Sequence, residues 1–334
     1  MIAAEVKKPG MLTTVQDMGR HGYRHLGIPL SGGIDRWSLR TANVLVGNDP
    51  GAACLEITMR GPEMIFLKDC VAAVTGAEAD VTLSGIPVPM WEGIFCGPGD
   101  VLTLGSPKKG SKSYLAVAGG LDVPVVLGSR STYLTGCFGG IEGRRLQKGD
   151  LIRTLFKRHA LDCLGKKYPK RYRPRFEDDI MVNVIKGINA DSFTEKEFRR
   201  FLDTEFVVTP RSDRMGCSLE GISEIKSNIP AVSESCPVVP GSIQILPSGC
   251  PVVLLNDAQA TGGYPQIACV TSADLWKIGQ AVPGTRVFFR ETDVRTARSE
   301  YQKKWVETGI TERNPEVRFY SKTSKYHYEI TLKD

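Results

Sequence analysis

Short apolar runs, cut at close intervals by glycine and proline, constrain this chain most. Between residues 54 and 153 they are Cys54–Thr58, Met64–Leu67, Val71–Thr75, Val81–Leu83, Val101–Leu104, Ser113–Val117 and Leu151–Arg153. Gly61-Pro62, Gly85, Gly97-Pro-Gly99, Gly105, Gly119-Gly120 and Gly139-Gly140 interrupt them. Runs this short cannot become core helices. Many of them in sequence argue for an antiparallel barrel or sandwich. Gly99-Asp100, Gly149-Asp150 and Pro283-Gly284 each precede an apolar strand, a weak hint of related barrel units.

The second half carries the same signature around Gly241–Ala268. Ile243 and Ile245 alternate with Gln244, the period of a half-buried strand. Val252–Leu255 is an unbroken apolar run suited to a strand buried on both faces. It ends in Asn256, Asp257, Gln259 and Thr261, then Gly262-Gly263-Tyr264-Pro265. Polar side chains at the end of a buried strand sit where binding groups are commonly placed.

The remaining elements are read in order. Residues 1–12 predict an edge strand ending at Pro9-Gly10, and Thr13–His25, rich in polar residues and glycine, predicts a loop. Asp35 caps a helix beginning near Arg36 and closed by Gly47-Asn48. The basic run Lys166–Arg175 reads as a solvated linker; its interleaved tyrosines would otherwise suit nucleic acid. Met181–Ile185 predicts a strand, and Thr194 to Glu197 has the pattern of a capping box. Further elements are a strand at Glu205–Thr209, a capped helix at Ser272–Gln280, a strand at Arg286–Arg290 and a charged helix at 293–307. The expected division is an N-terminal unit at 1–160, a linker at 161–179, a C-terminal barrel at 180–309 and a β-hairpin tail at 310–334, with Val317–Leu332 as its strands.

Composition narrows the function. With 334 residues the chain suffices for two ordinary domains. Forty-three Lys and Arg against 37 acids give a diffuse net charge of +6, which does not argue for nucleic acid. No apolar run is long enough for a membrane span, and no signal peptide is expected. Nine Cys without CxxC or zinc spacing read as buried free thiols in a reducing cytoplasm. His21 and His25 flank Gly22 in a loop rather than sharing a helix face, so no metal site is expected. Metalloprotease, phosphate-loop, serine-hydrolase and dinucleotide motifs are all missing from the sequence.

Three polar clusters remain as candidates. The first is Gln16, Asp17 and Arg20, with Asp35 near in sequence. The second runs from Arg130 to Tyr133, followed by Arg144-Arg145. The third joins Arg211, Asp213 and Arg214 to Gln244, Asp257, Gln259 and Tyr264. Arginine offers a planar fork for anions. Asp and Gln match the N–H and C=O of a cyclic amide, and Asp or Tyr can move a proton. The competing reading is that Asp17–Arg20 and Asp213–Arg214 only order their loops.

These residues carry a resemblance. The matching motifs are Pro9-Gly10, Thr14-Val-Gln-Asp-Met-Gly-Arg20, Ser31-Gly-Gly-Ile-Asp35, Ala42-Asn43, Val46-Gly-Asn48 and Ala116-Val-Ala-Gly-Gly120. They continue with Arg130-Ser-Thr-Tyr133, Ser212-Asp-Arg-Met-Gly216, Ser233-Glu234, Gly241-Ser-Ile-Gln244 and Thr261-Gly-Gly-Tyr-Pro265. In this order they resemble the allophanate hydrolase subunit 2 family, also called biotin-dependent carboxyltransferases or the C subunits of 5-oxoprolinase. The family includes the antagonist half of a sporulation-kinase inhibitor pair.

The resemblance implies a mainly β fold with two cyclophilin-like β-barrel domains and a few short helices. It implies two companions: a B subunit, similar to allophanate hydrolase subunit 1, and an A subunit. Together these would use ATP, bound on another subunit, to cleave 5-oxoproline to glutamate. Its alternatives are carboxyl transfer to a small amide or urea from biotin carried in trans, and a non-enzymatic regulatory partnership. On this reading Asp17, Arg214, Asp257 and Tyr264 are the catalytic expectations. Gln16, Arg20, Asp35, Arg130, Tyr133, Arg211, Asp213, Gln244 and Gln259 are the expected substrate contacts. The chain departs from the family at Ala258 and Ala260, where Arg and Thr are usual, and at Cys217, where Tyr is usual.

Overall fold

A computed structural model describes residues 1–155, 160–228 and 234–313. The expected strands of the tail, together with His159, Ser233 and His327, lie outside them. The chain forms two compact units. The first comprises Met1–Gly19, Ser31–Arg175 and the chain from Trp305; the second comprises Arg20–Leu30 and Phe176–Lys304. The division therefore falls at 175/176, and two stretches belong to the unit opposite their place in the sequence. Among the described residues, no helix is long and apolar enough to cross a membrane.

The first unit is built on nine strands: β1 (Ile2–Lys8), β2 (Leu12–Gln16), β3 (Cys54–Thr58), β4 (Glu63–Phe66), β5 (Cys70–Leu83), β6 (Ile86–Pro87), β7 (Ile94–Cys96), β8 (Val101–Val117) and β9 (Leu151–Arg153). They pair in the order β2-β3-β8-β4-β1-β9, and β5 pairs with β6, β7 and β8. The long β5–β8 ribbon bends where its register shifts after Gly76. Gly76 has φ +89°, and a Cβ there would stand 2.3 Å from the Lys112 carbonyl oxygen. Only glycine fits so close a backbone approach.

One face of this sheet buries Val6, Leu55, Ile57, Met64, Phe66 and Leu115 in a single apolar core. On the other face lies helix α1 (Arg36–Leu45), which sends Leu39, Ala42 and Leu45 against Val71, Tyr114 and Ala116. Asp35 caps α1 as expected: its carboxylate accepts from the Ser38 N–H at 3.0 Å and the Ser38 hydroxyl at 2.7 Å.

Three expectations change here. The N-terminal strand is not an edge; β1 lies between β4 and β9, with Ala3, Ala4 and Val6 fully buried. The expected loop at Thr13–His25 begins as strand, because Thr13, Thr14, Val15 and Gln16 are buried and paired with β3. The basic run is packed rather than solvated. Its residues Lys166–Lys167 form β10, which pairs with a second short strand at Glu312–Arg313. Tyr168 stacks on Trp91 with ring centroids 5.7 Å apart, and the Arg173 guanidinium donates twice to the Tyr168 carbonyl. The tyrosines that could have read bases are core anchors.

In the second unit the strands are β11 (Asp179–Lys186), β12 (Phe206–Val208), β13 (Gly216–Gly221), β14 (Cys236–Pro237), β15 (Ser242–Ile245), β16 (Pro251–Leu254), β17 (Thr261–Gly262), β18 (Gln266–Val270) and β19 (Arg286–Glu291). Seven of them close a barrel in the order β11-β18-β15-β16-β13-β12-β19, sealed by the parallel β19–β11 pair. Helix α2 (Glu195–Asp203) is capped by Thr194, whose hydroxyl accepts from the Glu197 N–H at 3.2 Å. Phe201 anchors it, stacked on Phe289 of β19 at 4.7 Å and tilted against Phe206 of β12 at 5.8 Å. Two further helices, α3 (Leu275–Gln280) and α4 (Val294–Glu307), follow.

The recurring turn signals share one geometry. The Asp100 carboxylate accepts from the Gly97 N–H, the Asp150 carboxylate from the Gln147 N–H, and the Thr285 hydroxyl from the Val282 N–H. The glycine before each acceptor has positive φ, from 87° to 95°. An oxygen reaching three residues back closes the same turn before β8, β9 and β19. All nine cysteines are free, and burial pushes the thiols of Cys54, Cys70 and Cys96 well above their usual range.

Phe201 is fully buried. Phe201→Ala is expected to cost about 3–5 kcal/mol in urea unfolding, the range for deleting a buried ring.

Candidate functional site

In the first unit, polar groups gather at the end of β2. The Asp17 carboxylate accepts four hydrogen bonds: from the Gly19 N–H at 2.8 Å, the Ser129 hydroxyl at 2.7 Å, the Arg130 N–H at 2.6 Å and the Ser131 hydroxyl at 2.6 Å. The Asp17 N–H donates back to the Ser131 oxygen, and the Thr132 N–H to the Val15 carbonyl. The segment 129–132 is thereby laid along the end of β2. Gln16 is fully buried and donates from Nε2 to Thr14 Oγ1 and the Thr132 carbonyl, both at 3.1 Å.

The turn at Ser31–Gly33 joins this cluster through the Gly33 N–H, which donates to the Asp17 carbonyl at 2.9 Å. At Gly32 a Cβ would stand 2.7 Å from the Gly19 nitrogen, so glycine is required for the contact. Ser31 itself has φ +53° and is fully buried. A serine in the left-handed region, held by its surroundings, is the kind of strain found at functional positions. Below the turn, Tyr114 donates to Glu56 at 2.7 Å, Glu56 accepts from the Ile34 N–H, and the Asp35 N–H donates to the Tyr114 oxygen. Burial, then the Glu56 charge, pushes the Tyr114 phenol well up, so it remains a donor.

This neighbourhood holds buried polar atoms that make no hydrogen bond among the described residues: Gln16 Oε1, Ser31 Oγ, Arg130 Nε and Thr132 Oγ1. Buried polar atoms are normally satisfied, and a group of them on neighbouring segments suits a polar ligand. Asp17 is the hub that orders them. Asp35 serves the cap of α1, and Tyr133 packs edge-on against Phe138 at 5.5 Å.

In the second unit the central feature is a buried ion pair. Arg214 donates from Nε and Nη2 to the two oxygens of Asp257, at 2.8 and 3.1 Å. Both side chains are almost completely buried. The backbones meet as well: the Asp257 N–H donates to the Arg214 carbonyl and the Leu255 N–H to the Met215 carbonyl. Asp213 folds the approach to Arg214 by accepting from the Met215 and Gly216 N–H groups. Arg211 points to solvent and pairs with Glu220 at 2.7 Å.

Gln244 is buried on β15 and donates to the Tyr264 carbonyl at 3.3 Å. Gly262 admits it: a Cβ there would stand 2.6 Å from Gln244 Nε2 and 3.4 Å from Gln259 Nε2. Ala258 is fully buried with Val238 and Leu254, so the departure from the expected Arg is absorbed into a small apolar cluster. Arg20, fully buried, belongs to this unit and donates its N–H to the Leu30 carbonyl.

Gln16, Asp17 and Arg130 are thus brought together in one unit, and Arg214, Asp257, Gln244, Gln259 and Tyr264 lie on neighbouring strands and loops of the other. Sequence reasoning passed over Ser31. The paired glycines after Ser31 were the available signal for a left-handed turn. No three His, Cys, Asp or Glu cluster in metal-binding geometry among the described residues.

The family profile described as "Carboxyltransferase domain, subdomain A and B" matches residues 26–291. The C subunit of 5-oxoprolinase from Escherichia coli (strain K12) is 38% identical over 296 residues, covering 88% of this chain and 92% of that protein. The urea amidolyase of Saccharomyces cerevisiae is 32% identical over 312 residues, 89% of this chain and 17% of that one. The crystal structure of the Kluyveromyces lactis urea amidolyase superposes with a TM-score of 0.85 at 32% identity, covering 92% of this chain and 20% of that chain. The chain thus spans about a fifth of the length of those urea amidolyases and nearly all of the bacterial protein.

Removing one partner of the Arg214–Asp257 pair strands a buried charge. Arg214→Met is expected to cost about 3–5 kcal/mol in urea unfolding. The Arg214→Met, Asp257→Leu double variant should be the more stable of the two.

Proposed function

Because the chain belongs to the carboxyltransferase domain family of subdomains A and B, we propose that it is the C subunit of an ATP-dependent 5-oxoprolinase. In this role it acts with the A and B subunits to cleave 5-oxoproline to L-glutamate in the cytoplasm. The observation that carries the reading is coextension. The E. coli protein and this chain match over almost their full lengths, whereas the urea amidolyases contain this region within a much longer protein.

The first unit's polar groups support it. A lactam presents one N–H and one C=O side by side. Gln16 Oε1 is an acceptor for the N–H, Arg130 Nε a donor for the C=O, and the Ser31 and Thr132 hydroxyls serve either. Asp17 keeps its carboxylate for the backbone and hydroxyls of 129–131, so its part is to position Arg130 and Thr132. Arg214 and Asp257 hold the 256–265 loop of the second unit, which carries Gln259 and Tyr264.

The same donor set bears on cofactors. It lacks the several cations or N–H groups that a triphosphate requires, so ATP is assigned to another subunit. A ureido ring does match it, as the N–H and C=O of a lactam do. Carboxybiotin delivered by another chain would supply a carboxyl group for transfer. Carboxyl transfer to a small amide is therefore the second reading, favoured by the close superposition on urea amidolyase.

Reconstitution with the A and B subunits tests the first reading. Glutamate formation from 5-oxoproline and ATP should require this chain, and unchanged turnover without it would overturn the proposal. Gln16→Ala should lower kcat/KM about tenfold, the loss of one hydrogen bond at about 1.4 kcal/mol. Labelled carboxyl passing from a biotinylated carrier to urea or another amide would move the assignment to the second reading.

A further inference from the structure

The basic run Lys166–Arg175 carries six cations in ten residues, all within the first unit. Packing fixes its backbone but leaves much of the charge at the surface. Lys170, Arg171 and Arg175 are exposed, and Lys166 and Lys167 are half-buried. Arg171 pairs with Glu312 at 3.4 Å, in a contact open to solvent. Lys167, Lys170 and Arg175 pair with no carboxylate among the described residues.

These cations sit on a rigid frame. Lys166 and Lys167 lie on β10, and the Lys167 backbone also bridges to Glu92. Lys170–Tyr172 is a 3-10 turn, with the Tyr172 ring tilted against Tyr168 at 6.2 Å. The Arg171 guanidinium lies 4.8 Å over the Tyr172 ring. Clustered like charges repel one another and weaken the fold that holds them together. An anion laid along them relieves that repulsion. Because the frame is already ordered, the anion gains attraction with little further loss of entropy in this chain.

Other features of the strip select the class of anion. Single-stranded nucleic acid stacks its bases on accessible rings, but Tyr168 is buried against Trp91 and Tyr172 lies beneath Arg171. Proteins that bind duplexes concentrate their charge, whereas the net charge of this chain is only +6. A lipid surface takes apolar side chains inserted beside the cations. Among the described residues, no large apolar side chain between Leu155 and Met181 is exposed. The chain's own tail does not complement the strip either. Residues 314–334 hold Arg318, Lys322, Lys325 and Lys333 against Glu316, Glu329 and Asp334. We infer that Lys166–Arg175 is a docking strip for an acidic segment of a protein partner. That the partner is a companion subunit rests on the proposed function; the acidic docking does not.

The test uses the full chain with Lys170→Glu and Arg175→Glu combined. Both side chains are exposed, so the exchange relieves repulsion and should leave the urea midpoint at the wild-type value or above. A control, Lys68→Glu with Lys148→Glu, makes the same change in net charge at other exposed lysines of the first unit. The probe is a fluorescein-labelled deca-glutamate peptide, followed by anisotropy. The wild type and the control should bind it alike, and the strip variant about tenfold more weakly. Added NaCl should weaken wild-type binding more steeply than that of the strip variant. A wild type that does not bind the peptide, or equal binding by the two variants, would overturn the inference. So would strip-dependent binding of duplex DNA or of phosphatidylglycerol vesicles by a wild type that ignores the peptide.

Calorimetry with the A and B subunits, each titrated separately, identifies the partner. One of them should lose about tenfold in affinity for the strip variant and none for the control. Unchanged affinity of both subunits would overturn a companion as the occupant of the strip. A wild type that binds neither subunit would instead sink the proposed function, and the peptide measurement would still decide the role of the strip.

Discussion

Four donors converge on the carboxylate of Asp17, two from backbone N–H groups and two from serine hydroxyls. Hydrogen bonds to a charged acceptor contribute about 1.5–3 kcal/mol each, so this group can dictate the path of two segments that lie more than a hundred residues apart. Strand β2 ends where Asp17 begins to collect donors, and the chain from Ser129 to Thr132 runs where those donors must sit. The Gly33 N–H on the Asp17 carbonyl adds the third segment. The path of these polar segments therefore follows from satisfying one acid, and it leaves Gln16 Oε1, Ser31 Oγ, Arg130 Nε and Thr132 Oγ1 buried without a hydrogen bond among the described residues.

The second unit solves a related problem with a different partner. Asp257 also follows a buried strand, and it too is spent on a distant loop. Its counterpart is a guanidinium instead of amides and hydroxyls. The difference matters for chemistry. A carboxylate bound by a charged fork, with both oxygens occupied, is poorly placed to move protons. One that orders hydroxyls and an arginine backbone fixes the placement of other groups. In both units an acid fixes the path of a segment distant in sequence.

Much of the fold was legible because it is local. Strand runs bounded by glycine, the Asp35 and Thr194 caps, and the turns before β8, β9 and β19 each depend on residues within a few positions of one another. What escaped depends on pairings far apart in sequence. Nothing near Ile2–Lys8 says that both its neighbours are strands, and nothing in Lys166–Arg175 says that Tyr168 finds Trp91. The candidate site divides in the same way. Gln16, Asp17, Arg130, Arg214 and Asp257 stand out as polar residues inside recognisable motifs. Ser31 gains its strain only from where the folded backbone puts it.

The loop Arg20–Leu30 belongs to the barrel's unit, although the chain on either side of it belongs to the other. The chain passes from one unit to the other after Gly19, Leu30, Arg175 and Lys304. Neither unit is a contiguous cassette. Cutting the gene at the 175/176 boundary would leave the barrel without the loop Arg20–Leu30, and the other half without Trp305, which packs edge-on against the Trp37 ring and under the Arg40 guanidinium. Fusion, shuffling or separate expression of the halves would therefore break both at once. The interleaving makes the two units one covalent design, in which neither can be moved or replaced as a continuous stretch of chain.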